Sequence, residues 1–217
     1  MNSEISHHIE RSIKESIATL SFLLSPHSTL FIQNVASLLA KTFHEGNKLL
    51  IAGNGGSLCD GVHFAEELTG YFREKRPALP AIVLSEPGHI TCVSNDFGFD
   101  SIFARGIEAF GKPGDVFLGL STSGNSPNII LAMEEARQRN LHTIALLGKN
   151  GGQLNGQADH QLIIPHHRAS DRIQEAHMTV LHIIVETIER LLFYTDSLQD
   201  EPENLKTSFI KSSFSGS

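Results

Sequence analysis

Tryptophan is absent from this chain of 217 residues, cysteine occurs twice, and positive charge is in deficit. Each shortage removes a class of function. Cys59 and Cys92 lack CxxC spacing, so neither a disulfide framework nor a cysteine zinc site can be built, and a reducing cytoplasm is the expected compartment. With 17 Lys plus Arg against 24 Asp plus Glu the formal charge is −7, which repels nucleic acid and anionic lipid. No apolar run approaches the roughly 18 residues of a membrane-spanning helix. Met1 to Ser12 carries Glu4, His7, His8, Glu10 and Arg11 where a secretion signal needs an apolar stretch. The expectation is a cytoplasmic protein with no nucleic-acid and no membrane partner.

What the chain does contain is 40% apolar residues, enough for one domain whose core buries roughly 70% of the extended chain's surface. Apolar residues recur at helical spacing from Ile5 to Leu24 and again from Ser28 to His44, predicting two N-terminal helices. Short apolar runs at Leu49 to Ala52, Ala81 to Leu84, Val116 to Leu120, Thr143 to Leu147 and Leu162 to Ile164 then alternate with helical stretches. Five buried parallel strands with helices on both faces follow from that alternation. A long final helix from about Asp171 to Tyr194 closes the domain, expected to span 1–194, and the Ser-rich, acidic segment 195–217 is expected to be a disordered tail.

In such folds ligands bind beyond the C-terminal ends of the strands. Three of those ends are rich in Gly and Ser: Gly53-Asn54-Gly55-Gly56-Ser57, Ser121-Thr122-Ser123-Gly124-Asn125-Ser126, and Gly148 to Gly152. The first runs from a strand into a helix, where free backbone N–H groups and the helix dipole favour an anion. It fits neither nucleotide motif: Leu58 stands where G-x-G-x-x-G needs its last glycine, and no Gly-Lys-Ser/Thr occurs. In the second, Ser126 is expected as N-cap with Pro127 as the first helical residue. One such loop reads equally well as turns and caps; two together point to phosphate.

On a helical wheel Leu58, Val62, Ala65, Leu68 and Phe72 form one stripe and His63 with Glu67 lies opposite, four residues apart. That spacing suits one metal ion or a coupled proton relay, while Glu66 points elsewhere. In the final helix His177 falls within the apolar stripe of Ile173, Val180, Ile184, Ile188 and Leu191 and is expected to be packed. His182 falls on the far side, beside Glu186 and Glu189, with Gln174 on the same column. Gln174 also has a capping role open to it if Asp171 is the N-cap.

These residues carry a resemblance. Gly53-Asn-Gly-Gly-Ser57, His63-Phe-Ala-Glu-Glu-Leu-Thr-Gly70, Arg76-Pro-Ala-Leu-Pro-Ala81, Asn95-Asp96, Gly114-Asp115, Ser121-Thr-Ser-Gly-Asn-Ser126 and Arg172-Ile-Gln-Glu175 occur in order, and the chain to about Tyr194 resembles the bacterial phosphoheptose isomerases. The resemblance implies the sugar isomerase (SIS) fold, a flavodoxin-like five-stranded parallel sheet, and a homotetramer. It implies conversion of sedoheptulose 7-phosphate to D-glycero-D-manno-heptose 7-phosphate, the first step towards the heptose of lipopolysaccharide. It further implies that Asn54, Gly55, Gly56 and Ser57 meet substrate, that Ser121, Thr122, Ser123 and Ser126 hold phosphate, and that Asn95 and Asp96 contact the sugar. One Zn2+ per subunit would be bound by His63, Glu67, Gln174 and His182, with Gln174 also touching substrate and Glu67 and His182 as the acid-base pair. Gly61 where the family often has Ala, and the Glu86-Pro87-Gly88 approach to His89, are departures that remove none of these residues. A binding module of the same fold, of the replication-initiator-associating type, lacks such a catalytic set, and an isomerase of another sugar phosphate shares the loops.

Because His182 lies opposite its own helix's apolar stripe, the wheel leads to one more expectation: an active site shared between subunits, with the glycine loop from one chain and the His182 face from another.

Overall fold

The computed structural model describes residues 2–165 and 169–194; the tail expected at 195–217 lies outside the described residues. Helix α1 (Asn2–Phe22) and helix α2 (Pro26–His44) come first. Ser25 caps α2, its Oγ accepting from the Ser28 N–H at 3.3 Å, and Pro26 supplies a preset first-turn φ. Then follow β1 (Leu49–Gly53), α3 (Gly56–Thr69), β2 (Ala81–Val83), α4 (Pro87–Phe97), α5 (Ile102–Phe110), β3 (Val116–Ser121), α6 (Pro127–Gln138), β4 (His142–Gly148), β5 (His160–Ile164) and α7 (Ser170–Phe193).

All strand pairings are parallel, in the order β2-β1-β3-β4-β5. Every residue of β1 and β3 is buried, as expected for strands covered on both faces. Alternate side chains serve two cores. Leu49 and Ile51 of β1 pack with α2, α3 and α7, whereas Leu50 and Ala52 pack with α5 and α6. The expectation of five buried strands fails at both edges of the sheet: β2 has three residues, with Ile82 38% exposed, and β5 leaves His160, Gln161 and Ile163 only half-buried. An edge strand has one neighbour, so its flank meets solvent.

Chain order reverses direction across the sheet between β1 and β3, which opens a crevice at their C-terminal ends. Both candidate anion loops leave the sheet there. Helix α1 packs against α7. Its polar residues Ser12 and Ser16 bond Arg172 of α7, while Ile5, Ile9, Ile13 and Ile17 are each more than half exposed.

Candidate active site

Gly55 caps α3 with φ +54°, a backbone conformation glycine adopts without strain, and no side chain caps this helix. The Ser57 N–H donates to the Asn54 carbonyl at 3.1 Å and the Leu58 and Cys59 N–H groups to that of Gly55, so the positive end of the α3 dipole, at Gly55 and Gly56, is what this helix start offers an anion. Across the crevice Asn54 and Asn128 exchange hydrogen bonds in both directions, at 2.9 and 3.0 Å, tying the first loop to the first turn of α6. In the second loop Ser126 is the N-cap position and Pro127 the first helical residue, as expected. The Ser126 hydroxyl makes no capping bond; it lies 3.1 Å from Ser121 Oγ, which also accepts from the Gly124 N–H. Thr122 Oγ1 meets Ser170 Oγ at the start of α7 at 3.1 Å. Ser123 Oγ accepts from the Asn125 N–H. A Cβ on Gly124, whose φ is +65°, would overlap the Gly151 carbonyl, so glycine is needed where this loop meets the third Gly-rich loop.

Helix α3 buries Ser57, Gly61, Phe64, Ala65 and Leu68. The stripe expected from the wheel is thus rotated: Val62 is 45% exposed, and Phe72 lies beyond the helix end at Thr69. Gly61 causes the shift, since its bare Cα lets the helix approach β1, where a Cβ would come within 2.9 Å of Ile51 Cγ2. His63 and Glu67 keep their shared flank, with His63 Nε2 3.3 Å from Glu67 Oε1 and the carboxylate more shielded than the imidazole. His63 also borders an open cavity of about 680 Å³ with Leu58, Cys59 and Val62.

His182 arrives from α7. Its Nε2 lies 3.5 Å from His63 Nε2, and the Phe72 ring stacks on it with centroids 5.5 Å apart at 27°. One donor atom from each of His63, Glu67 and His182 falls within 4.8 Å of the others, a separation that two imidazole nitrogens and a carboxylate oxygen can close around one divalent ion. Burial pushes the His182 pKa down, the His63 charge pushes the same way, and Glu67 opposes both. Neutral imidazole, the form that ligates metal, is thereby favoured. Nearby, burial raises the Asp60 carboxyl to about 6 against the pull of His63.

The triad is complete within one chain, which overturns the expected split between a glycine loop of one subunit and a His182 face of another. The wheel assumed one neighbour for α7, but this helix packs on α2 and β4 with one flank and meets α3 with the next. Gln174 tells the same story: its amide lies against Gly56 of the same chain, 2.6 Å from where a Cβ would stand. The capping role weighed for Gln174 also fails, because α7 starts at Ser170 with Ala169 as N-cap. His177 is fully buried as expected, with Nε2 2.9 Å from the Leu147 carbonyl oxygen. Leu191, assigned to the stripe, is 45% exposed, and Glu189, read as an exposed neighbour of His182, is 2% exposed.

Asn95 and Asp96 stand exposed at the end of α4, 2.8 Å from each other, with no hydrogen bond to the loops or the triad among the described residues. The unusual Glu86-Pro87-Gly88 segment starts α4: Glu86 accepts from the Gly88 and His89 N–H groups, which holds its carboxyl below the ordinary range. Asn128 and Ser170 had no sequence signal of their own, and Phe72, Arg76 and Glu189 were read without the contacts they make; each acquires its contact through tertiary packing.

Comparison with known proteins agrees with this geometry. The SIS domain matches residues 13–148. The phosphoheptose isomerase of Fusobacterium nucleatum is 57% identical over 161 residues, 74% of this chain and 82% of its own length. That of Edwardsiella ictaluri is 51% identical over 183 residues, 84% of this chain and 95% of its own. Among solved structures, the phosphoheptose isomerase of Francisella tularensis superposes with a TM-score of 0.77 at 34% identity, covering 87% of this chain and 97% of that one. Identity of this degree over nearly whole relatives leaves one conclusion: the chain belongs to the SIS domain family and, within it, to the phosphoheptose isomerases.

Proposed function

We propose that this isomerase interconverts sedoheptulose 7-phosphate and D-glycero-D-manno-heptose 7-phosphate, supplying heptose for lipopolysaccharide, with its phosphate end in the β1/β3 crevice. The convergence of His63, Glu67 and His182 beside that crevice is the observation that carries the reading. Ser121, Thr122, Ser123 and Ser126 offer hydroxyls, and the α3 start offers the Gly55 and Gly56 amides, to a phosphate ester without a formal cation; Ser57, whose N–H already donates to the Asn54 carbonyl, is assigned to substrate by resemblance alone. Asn54 and Gln174 flank the same loop and orient the sugar; Asn95 and Asp96 are assigned to it by resemblance alone.

Isomerisation requires a proton to leave the carbon beside the carbonyl and another to reach its neighbour through an enediol. Glu67 is the base and His182 the acid, the latter in its protonated form, which burial disfavours: the carboxylate is partly shielded, and the imidazole sits on the Phe72 ring facing it across His63. Zn2+ bound by His63, Glu67 and His182, with Gln174 as the fourth ligand, would supply Lewis acidity toward the carbonyl oxygen. A Glu67 carboxylate that also held the ion would be a weaker base. The resemblance adds a homotetramer in the cytoplasm, and the exposed isoleucine column of α1 offers a surface for self-association. No helix among the described residues is long and apolar enough to cross a membrane. Assay of sedoheptulose 7-phosphate turnover with and without a chelator tests the proposal. Turnover that chelation abolishes and Zn2+ restores is expected; no turnover of this substrate, with activity on another sugar phosphate, would reassign it.

A further inference from the structure

A second polar cluster lies outside the site and is more deeply buried than it. Arg76 and Glu189 have side chains only 1% and 3% exposed, and their ion pair is 2.8 Å from Nε to Oε1. The rest of the guanidinium is spent on backbone. Nη2 donates to the Glu67 carbonyl at 2.7 Å, and Nη1 to those of Leu68, Gly70 and Pro77 at 2.6, 3.0 and 3.0 Å. Carbonyls in the last turn of a helix have no intrahelical partner, so Arg76 closes the end of α3 from the residue that carries Glu67 onward. Glu189 takes a second donor, the Phe72 N–H at 3.1 Å, and Phe72 is the residue whose ring lies on His182. Glu189 itself follows His182 by seven residues, two helical turns along the same flank of α7.

We infer that Arg76 and Glu189 are positioning residues: together they lock the end of α3 to α7 and so set the distance between Glu67 and His182. Neither touches the triad's donor atoms. Their leverage comes from direction. An apolar contact between two helices tolerates sliding, whereas a planar guanidinium with four carbonyl acceptors and one carboxylate accepts a single register. Burying both charges costs desolvation, and an apolar pair of similar volume would hold the helices together as well or better. What that pair would lose is the register.

This role rests on the acid-base and metal reading above, and the test keeps the two apart. Arg76→Lys, Glu189→Gln and the double variant Arg76→Met/Glu189→Leu are compared with wild type in three measurements: steady-state kinetics on sedoheptulose 7-phosphate, thermal midpoint, and Co2+ titration of metal-free protein by absorbance. Arg76→Lys keeps the charge but loses the fork, and is expected to lower kcat about 10-fold to 100-fold with little change in KM, the scale of a small misplacement of reacting groups. Its Co2+ affinity should fall about tenfold. Glu189→Gln, which keeps an acceptor for Arg76 and Phe72, should lose less. The double variant should recover the thermal midpoint while kcat and Co2+ affinity stay low. Wild-type kcat and Co2+ affinity in folded Arg76→Lys would overturn the role. Recovery of kcat together with the midpoint in the double variant would reduce the pair to structure alone. Should the double variant not fold, Arg76→Lys and Glu189→Gln decide. A wild-type protein that neither turns over the substrate nor binds Co2+ would overturn the reading beneath, and this role with it.

Discussion

The two ends of the site are built by different means. At the loop end, glycines with positive φ and the Ser121–Ser126 contact shape each loop through short-range geometry, and the reciprocal Asn54–Asn128 bonds, between residues 74 apart in sequence, then tie the two loops together. At the helix end, His63 and Glu67 lie 3.3 Å apart as i, i+4 neighbours on α3, but His182 comes within 3.5 Å of His63 only because α7 is seated against α3. Local backbone chemistry shapes most of the first end; the packing of α7 completes the second. The loop end should therefore tolerate changes elsewhere in the fold, and the helix end should not.

The largest expected effect breaks the helix end directly. Glu67→Gln and His182→Ala should each lower kcat about 100-fold to 10,000-fold, the scale of removing a general acid or base. Glu66→Gln, 68% exposed, should leave kcat near wild type. Mixing and reassembling the two inactive proteins should restore nothing, because both groups come from one chain; recovered activity would show the helix end to be completed across chains.

Next in size is an acid sensitivity confined to the seat of α7. Burial lowers the His177 pKa to about 4, against the favourable Leu147 contact, so between about 4 and the ordinary value near 6.5 the unfolded chain binds more protons than the folded one. Stability from neutral His177 is complete above that window and is lost as pH falls through it. The full loss is about 3 kcal/mol at 1.36 kcal/mol per unit. Asp60, raised to about 6, acts with the opposite sign over part of the same range. Replacing His177 by Gln cancels the first effect and keeps the second, so melting at pH 7.5 and 4.5 should show a smaller acid loss in the variant. An equal loss would mean that His177 is not the group responsible.

The smallest effect sharpens the loop end. Ser121→Ala and Ser126→Ala should raise KM roughly tenfold and change kcat less, since a phosphate remote from the reacting carbons contributes largely uniform binding. Kinetics showing a kcat loss with KM unchanged would move the phosphate elsewhere.

Much of the loop end was legible because its signals are local. Gly, Ser and Pro at strand ends report turn and cap geometry within a few residues, and Ser126 with Pro127 stands where that reasoning put it. Strand positions were legible for the same reason, though not the partial exposure of the edge strands β2 and β5. The helix end was legible only in part. Spacing paired His63 with Glu67, but which flank of α3 is buried turned on Gly61 approaching Ile51, a contact between residues far apart in sequence. Nothing along α7 distinguishes a glutamate that faces water from Glu189, which faces a buried arginine 113 positions away.

The Asn54–Asn128 rung has a consequence for how the protein ages. Asn54 precedes Gly55, and an asparagine followed by glycine is the pairing most open to deamidation, in which the next backbone nitrogen attacks the side-chain carbonyl carbon. That attack requires the amide to swing freely. Held at both its oxygen and its nitrogen by Asn128, the Asn54 amide must break two bonds before it can cyclise. Aspartate at this position would set a negative charge beside a crevice suited to phosphate. The bridge between the loops thus also delays a slow chemical conversion that would turn the anion site against its own ligand.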